Sequence, residues 1–266
     1  MIEPQTVVVS LIKGIETHSG LHMSEVITEV TRLSKERVAV VSGPNLAREI
    51  AEKQQAASVI ANTDVIGCEL GGAVKNVIAL AVGLASGMGL GHTATALLAT
   101  RGLAETARLG TILGADPLTF SGLAGVGDLI TTCSSPLSRN RTFGEHLGQG
   151  MTVDEAAITT KQMAEGVKSS AALLALAHRY GVEMPISEVV VDVIKGRIDV
   201  RQAAERLMAR APRPRVIGPA RQSILGDGPC AVQNPLLLRQ AVRHAVCERS
   251  TGRGAPWPTP TPTGSM

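Results

Sequence analysis

Lys75 sits in Gly72-Ala73-Val74-Lys75-Asn76-Val77-Ile78-Ala79-Leu80-Ala81-Val82, a run so apolar that a helix built from it would be buried on most sides. Burial in low dielectric disfavours an ammonium and pulls its pKa toward neutrality, which makes a flexible amine usable as a general base. The competing reading is a buried lysine that pairs with a carboxylate such as Asp128 and does nothing else. Asp128 itself follows Gly125-Val126-Gly127 and precedes Leu129-Ile130, so it stands on a tight turn beside the core. It either caps the next helix or faces a ligand hydroxyl. Ser138-Arg139-Asn140 offers a hydroxyl, a planar fork of donors and an amide in succession. That trio suits a phosphate if it opens a helix whose free N–H groups point the same way, and is otherwise a solvated polar loop.

The glycine clusters 87–91 and 122–127 lack the GxGxxG order of a dinucleotide turn and do not lie between a strand and a helix of a βαβ unit. They are expected to be interhelical turns that allow close approach. Positioning the polar groups falls to two kinds of element. Three β-branched runs at 6–12, 37–42 and 57–61 alternate with helix-like segments at 21–33 and 45–53, as in a parallel α/β sheet, though only half of a doubly wound one. From Asp64 the apolar spacing becomes helical and stays so to about residue 211, with a central helix through Lys75 and a second over 93–110 whose outer side carries Arg101, Glu105 and Arg108. Thr152-Val153-Asp154-Glu155 has capping-box spacing, Gly181 follows a helix over 171–180, and Pro212 stops one over 201–210. The fold class expected is a partial Rossmann-like parallel sheet followed by an all-α domain. The boundaries are 1–63 for an incomplete nucleotide-binding part, 64–212 for a helical substrate and catalytic domain, and 213–266 for a mostly disordered, Arg/Pro/Gly-rich tail with a short helix near 236–247.

The 266 residues, 44% hydrophobic, suffice for a sizeable core. A net charge of +3 without a basic stripe, and aromatics at 2%, argue against nucleic acid as a partner. Cys68, Cys133, Cys230 and Cys247 form neither a CxxC pair nor a disulfide ladder, which fits a reducing cytoplasm. No signal peptide pattern opens the chain. Residues 76–100 lack Asp, Glu, Lys and Arg, but Gly83, Gly87, Gly89, Gly91 and His92 interrupt them, so two helices and a turn are expected there instead of a membrane span.

Taken in order, the motifs resemble the bacterial-type NAD(P)-dependent glycerol-3-phosphate dehydrogenases from about Val7 to Pro212. They comprise Ser10-Leu11-Ile12-Lys13-Gly14-Ile15-Glu16, Ser42-Gly43-Pro44-Asn45-Leu46-Ala47, the Lys75 run, Thr100-Arg101-Gly102-Leu103-Ala104-Glu105, Gly122 to Leu129 and Ser138-Arg139-Asn140-Arg141. The resemblance implies Lys75 as proton acceptor, in contact with substrate together with Asp128, Ser138, Arg139 and Asn140. It implies Lys13 on both substrate and cofactor, Gly43, Asn45 and Ala47 on the loop between the two ligands, and Arg139, Met163 and Glu165 against NAD or NADP. Asn45 stands where the family usually has Ser or Thr. The expected reaction interconverts dihydroxyacetone phosphate and sn-glycerol 3-phosphate, small-molecule partners that feed glycerophospholipid synthesis, with no metal; a homodimer is left open. Family members begin with a strand and a GxGxxG-type turn that this chain lacks, so it is expected to bind NADH or NADPH poorly and turn over slowly if at all. The composition after Pro212 raises an altered reading frame. Two rival functions are a non-catalytic remnant that binds phosphate esters or dimerises, and a related dehydrogenase of another hydroxy acid.

Overall fold

A computed structural model describes residues 5–61, 63–161 and 164–209, which belong to one compact unit. The expectations for Met163, for Pro212 and for the tail 213–266 fall outside the described residues.

β1 (Val8–Ser10) and β2 (Val38–Ser42) pair in parallel, Val9 opposite Ala39, with α1 (Met23–Thr31) as the crossover. β3 (Val59–Ala61) then pairs antiparallel with β2, Ser42 opposite Val59, so the sheet is not parallel throughout as expected. The cause is the β2–β3 connection, whose two ends stay together. Asn45 Nδ2 donates to Ser58 Oγ at 3.0 Å, and Gly43, at φ +128°, lies so close to Ala57 that a Cβ there would stand 2.7 Å from its carbonyl oxygen. The short α2 (Ala47–Ala51) fits inside that closed loop, which returns the chain to the end it left, so β3 runs back along β2.

α3 (Val65–Gly87) is the centre of the molecule, buried at every residue from Gly67 through Ala85. Asp64 starts it by accepting from Gly67 N at 2.9 Å, and its other oxygen accepts from Thr119 Oγ1 at 2.5 Å and Asp116 N at 3.1 Å. Such a cap stabilises by about 1 kcal/mol. α3 is long and apolar enough to cross a membrane, yet it is enclosed by the helices around it. Gly83 and Gly87, read from sequence as interruptions, are instead its contact face with α6 (Arg139–Gly148). A Cβ at Gly83 would overlap Arg141 O, at Gly87 Glu145 O, at Gly144 Leu80 O and at Gly148 Leu84 O. Paired small residues four apart on both helices let the backbones touch, and this close approach brings Ser138–Asn140 against the Lys75 segment.

Around α3 and α6 stand α4 (His92–Ile112), α5 (Asp128–Ser134), α7 (Val153–Thr159), α8 (Glu165–Arg179), α9 (Pro185–Ile194) and α10 (Val200–Ala209). The expected turn at 87–91 separates α3 from α4, and the Thr152–Glu155 capping box opens α7. Of the α4 residues expected on the outer side, Arg108 is exposed, but Arg101 is partly buried and Glu105 is buried. Glu105, 2% exposed, accepts from Ile186 N at 3.0 Å at the start of α9, and Arg101 Nη1 donates to Leu207 O at 2.5 Å in the last turn of α10. Charged side chains there satisfy helix ends that would otherwise be orphaned in the interior.

Candidate active site

The loop after β1 carries Lys13 and the loop after β2 carries Gly43, so both residues follow the carboxyl ends of parallel strands, where ligands bind in open α/β sheets. Lys13 Nζ donates to Gly43 O at 3.3 Å and to Asp128 Oδ2 at 2.7 Å. Lys75 Nζ, on α3, donates to Asp128 Oδ1. Asp128 reaches this place because a π-turn over Leu123–Gly127 feeds directly into α5, and Gly125 within it leaves no room for a Cβ against Phe120. The carboxylate does not cap α5. Both of its oxygens face lysines, and the group is 1% exposed.

Burial brings Lys75 down from 10.5 to about 8, with the Lys13 ammonium pushing the same way and Asp128 opposing. The pairing with Asp128 expected of an inert lysine is therefore present, and the amine still titrates near neutrality. Thr132 Oγ1, one helical turn beyond Asp128, donates to its backbone oxygen at 2.7 Å. The Cys133 thiol beside Lys75 is pushed up to about 12 by burial and stays protonated.

A second string of polar groups starts one residue further along α3. Asn76 Nδ2 donates to Glu165 Oε2 at 3.3 Å, Asn140 Nδ2 donates to Asn76 Oδ1 at 3.0 Å, and Asn140 Oδ1 accepts from Gly166 N at 2.9 Å. Gly166 permits this, since a Cβ there would stand 2.6 Å from Asn76 O. Ser138 is the N-cap of α6, accepting from Arg141 N at 3.3 Å, and is buried. Arg139, first residue of α6, lies 3.6 Å from Glu165 Oε1, each side chain about half exposed at 55%. The trio expected to open a helix does so.

Thus Lys13, Gly43, Lys75 and Asp128 form one hydrogen-bonded cluster, and Ser138, Arg139, Asn140 and Glu165 gather beside it through Asn76. Asn45 is engaged with Ser58, and Ala47 is an exposed first residue of α2; neither bonds to the lysine cluster. Asn76 and Thr132 are the residues that sequence reasoning passed over. The signals were present in the adjacency of Asn76 to Lys75 on a fully buried helix and the four-residue step from Asp128 to Thr132.

The C-terminal model of NAD-dependent glycerol-3-phosphate dehydrogenase matches residues 64–205, and the N-terminal model of the same family matches residues 1–66. The chain belongs to this family. It is 56% identical over 237 residues to glycerol-3-phosphate dehydrogenase [NAD(P)+] of Streptomyces coelicolor, covering 80% of this chain and 70% of that protein. It is 57% identical over 240 residues to the Thermobifida fusca protein of the same name, covering 82% and 71%. Among solved structures, the glycerol-3-phosphate dehydrogenase of Coxiella burnetii superposes with a TM-score of 0.74 at 36% identity, covering 79% of this chain and 70% of that one. The Rossmann-like small sheet followed by a helical domain is the arrangement of that family.

Proposed function

We propose that this chain interconverts dihydroxyacetone phosphate and sn-glycerol 3-phosphate with NAD or NADP, and that Lys75 is the group that moves the proton. The observation that carries the reading is a buried amine, whose burial pushes its pKa down, held against Asp128 beside a helix N-terminus that presents Ser138, Arg139 and Asn140. When bound, the nicotinamide supplies or accepts the hydride. In oxidation the secondary hydroxyl of glycerol 3-phosphate gives its proton to the Lys75 amine as hydride leaves the carbon; in reduction the Lys75 ammonium protonates the nascent alkoxide. Asp128 keeps the ammonium form accessible in a buried place.

Arg139 and the first turn of α6 take the phosphate as a charge-assisted donor set, which fixes the reacting carbon. Asn140 spends its oxygen on Gly166 and one amide hydrogen on Asn76, so among the described residues one amide hydrogen remains for the ligand. Gly43, Lys13, Glu165 and Arg139 would hold the nicotinamide end of NAD(P). Asn45 and Ala47 line that loop, Asn45 by turning its amide from Ser58 to a ligand. The chain acts in the cytoplasm and its product serves glycerophospholipid synthesis.

Calorimetric titration with glycerol 3-phosphate alone, then product analysis with dihydroxyacetone phosphate and millimolar NADH or NADPH, tests the reading. It expects phosphate-ester binding that inorganic phosphate competes away. Absence of binding at millimolar glycerol 3-phosphate overturns it.

A further inference from the structure

Asp128 serves two amines with one carboxylate. Lys13 Nζ holds Oδ2 at 2.7 Å and Lys75 holds Oδ1, while the acid itself is 1% exposed. Two ammonium groups on a single buried carboxylate leave an uncompensated positive charge, and the amine that costs least to deprotonate is the more deeply buried one. That is Lys75, whose side chain is 7% exposed against 20% for Lys13. Lys75 is also fixed in the middle of α3, whereas Lys13 stands on a loop after β1 and has a second, looser seat at Gly43 O, 3.3 Å away, on the side where the strand ends open.

We propose that Lys13 is a positioning residue for the proton on Lys75: by occupying one oxygen of Asp128 and presenting its own charge it makes Lys75 give up its proton more readily, and a ligand oxygen that draws Lys13 off Asp128 makes Lys75 hold a proton more tightly. The inference rests on the reading of Lys75 as proton acceptor, and adds to it a reason for the amine to change state when a ligand arrives. The direction of the charge effect agrees, since the Lys13 ammonium pushes Lys75 down and Asp128 pulls it up. Other groups facing Lys75 do not compete. Cys133 on α5 keeps its proton to about pH 12, and Arg141 on α6 acts on that thiol. Thr132 Oγ1, 3.4 Å from Asp128 Oδ1, is neutral.

The test follows the Lys75 Nζ resonance of this chain, labelled with ¹⁵N-lysine, through a pH titration, with Lys75→Met assigning the signal. Lys13→Met should move the Lys75 midpoint up by about one pH unit or more, as expected for removing a like charge a few ångströms away. Lys13→Arg should leave it near the wild-type value, and Asp128→Asn should lower it. Glycerol 3-phosphate added to the wild type should raise the midpoint, and should add little to Lys13→Met. A midpoint unmoved in Lys13→Met, or moved as far in Lys13→Arg, overturns the proposal; where Lys13→Met folds poorly by circular dichroism, Lys13→Gln decides on the same terms. A midpoint unmoved by glycerol 3-phosphate, with binding seen by calorimetry, overturns the ligand-driven half. The titration needs no turnover, so a chain that behaves as expected here yet forms no product counts against the catalytic reading and not against the coupling.

Discussion

Replacing Asp128 with Asn keeps the volume of the side chain and removes the charge that both lysines share. At pH 7 the wild-type Lys75 is still protonated, one unit below its midpoint of about 8. Without the carboxylate it escapes by losing its proton, which caps the added electrostatic cost at about 1.4 kcal/mol. The lost hydrogen bonds to charged groups add about 1.5–3 kcal/mol, so Asp128→Asn should destabilise by about 3–4 kcal/mol at pH 7. By pH 9.5 Lys75 is neutral in both folded proteins, and the gap should narrow by about 1.4 kcal/mol. Both proteins should gain stability between about pH 8 and 10.5, because there the unfolded chain binds the Lys75 proton more tightly than the folded one. Urea unfolding at pH 7 and pH 9.5 measures both quantities. A gap below about 1 kcal/mol at pH 7, or one that widens toward pH 9.5, would refute the shared-carboxylate reasoning.

Arg139→Ala should weaken glycerol 3-phosphate binding by about tenfold to a hundredfold, read by calorimetry. Its half-exposed pair with Glu165 contributes little to folding, so urea stability should change by less than about 1 kcal/mol. Gly144→Ala sets a methyl against Leu80 O where α3 and α6 touch, and should cost about 1–3 kcal/mol or more in urea unfolding while also weakening ligand binding through the displaced start of α6; an unaffected variant would mean the helices can part freely. Burial pushes Glu105 up to about 7, so the folded chain holds that proton more tightly than the unfolded one, and this group's contribution falls by about 3 kcal/mol as pH rises from 4.5 through 7. Glu105→Gln, which keeps an acceptor for Ile186 N, should flatten that slope.

The helical half was legible because its signals are local: a charge-free apolar run, a capping box, and glycines at turns. Asp128 and Lys75 could be named as a pair from chemistry alone, since a buried lysine needs a carboxylate. The meaning of Gly83, Gly87, Gly144 and Gly148 was not legible, because their role is a contact between segments about sixty residues apart and each glycine alone reads as a break. Glu105 was misplaced for a related reason. Spacing put it with two arginines on one face, and only the arrival of α9 and α10 encloses Glu105 there. The antiparallel β3 depends on Asn45 meeting Ser58 across the loop, a pairing that strand propensity does not encode. Asn76 was not legible because its partners, Asn140 and Glu165, lie 64 and 89 residues away in the chain.

The most direct test of the account compares Lys75→Met with the wild type in the formation of glycerol 3-phosphate from dihydroxyacetone phosphate at millimolar NADH, by quantifying product. An apolar side chain of similar length fills the same space in α3, so the variant should stay folded while its rate falls about 10²- to 10⁴-fold. A folded Lys75→Met chain that keeps more than about a tenth of the wild-type rate, short of the loss expected for a missing proton-transfer group, would contradict the assignment of Lys75 to proton transfer.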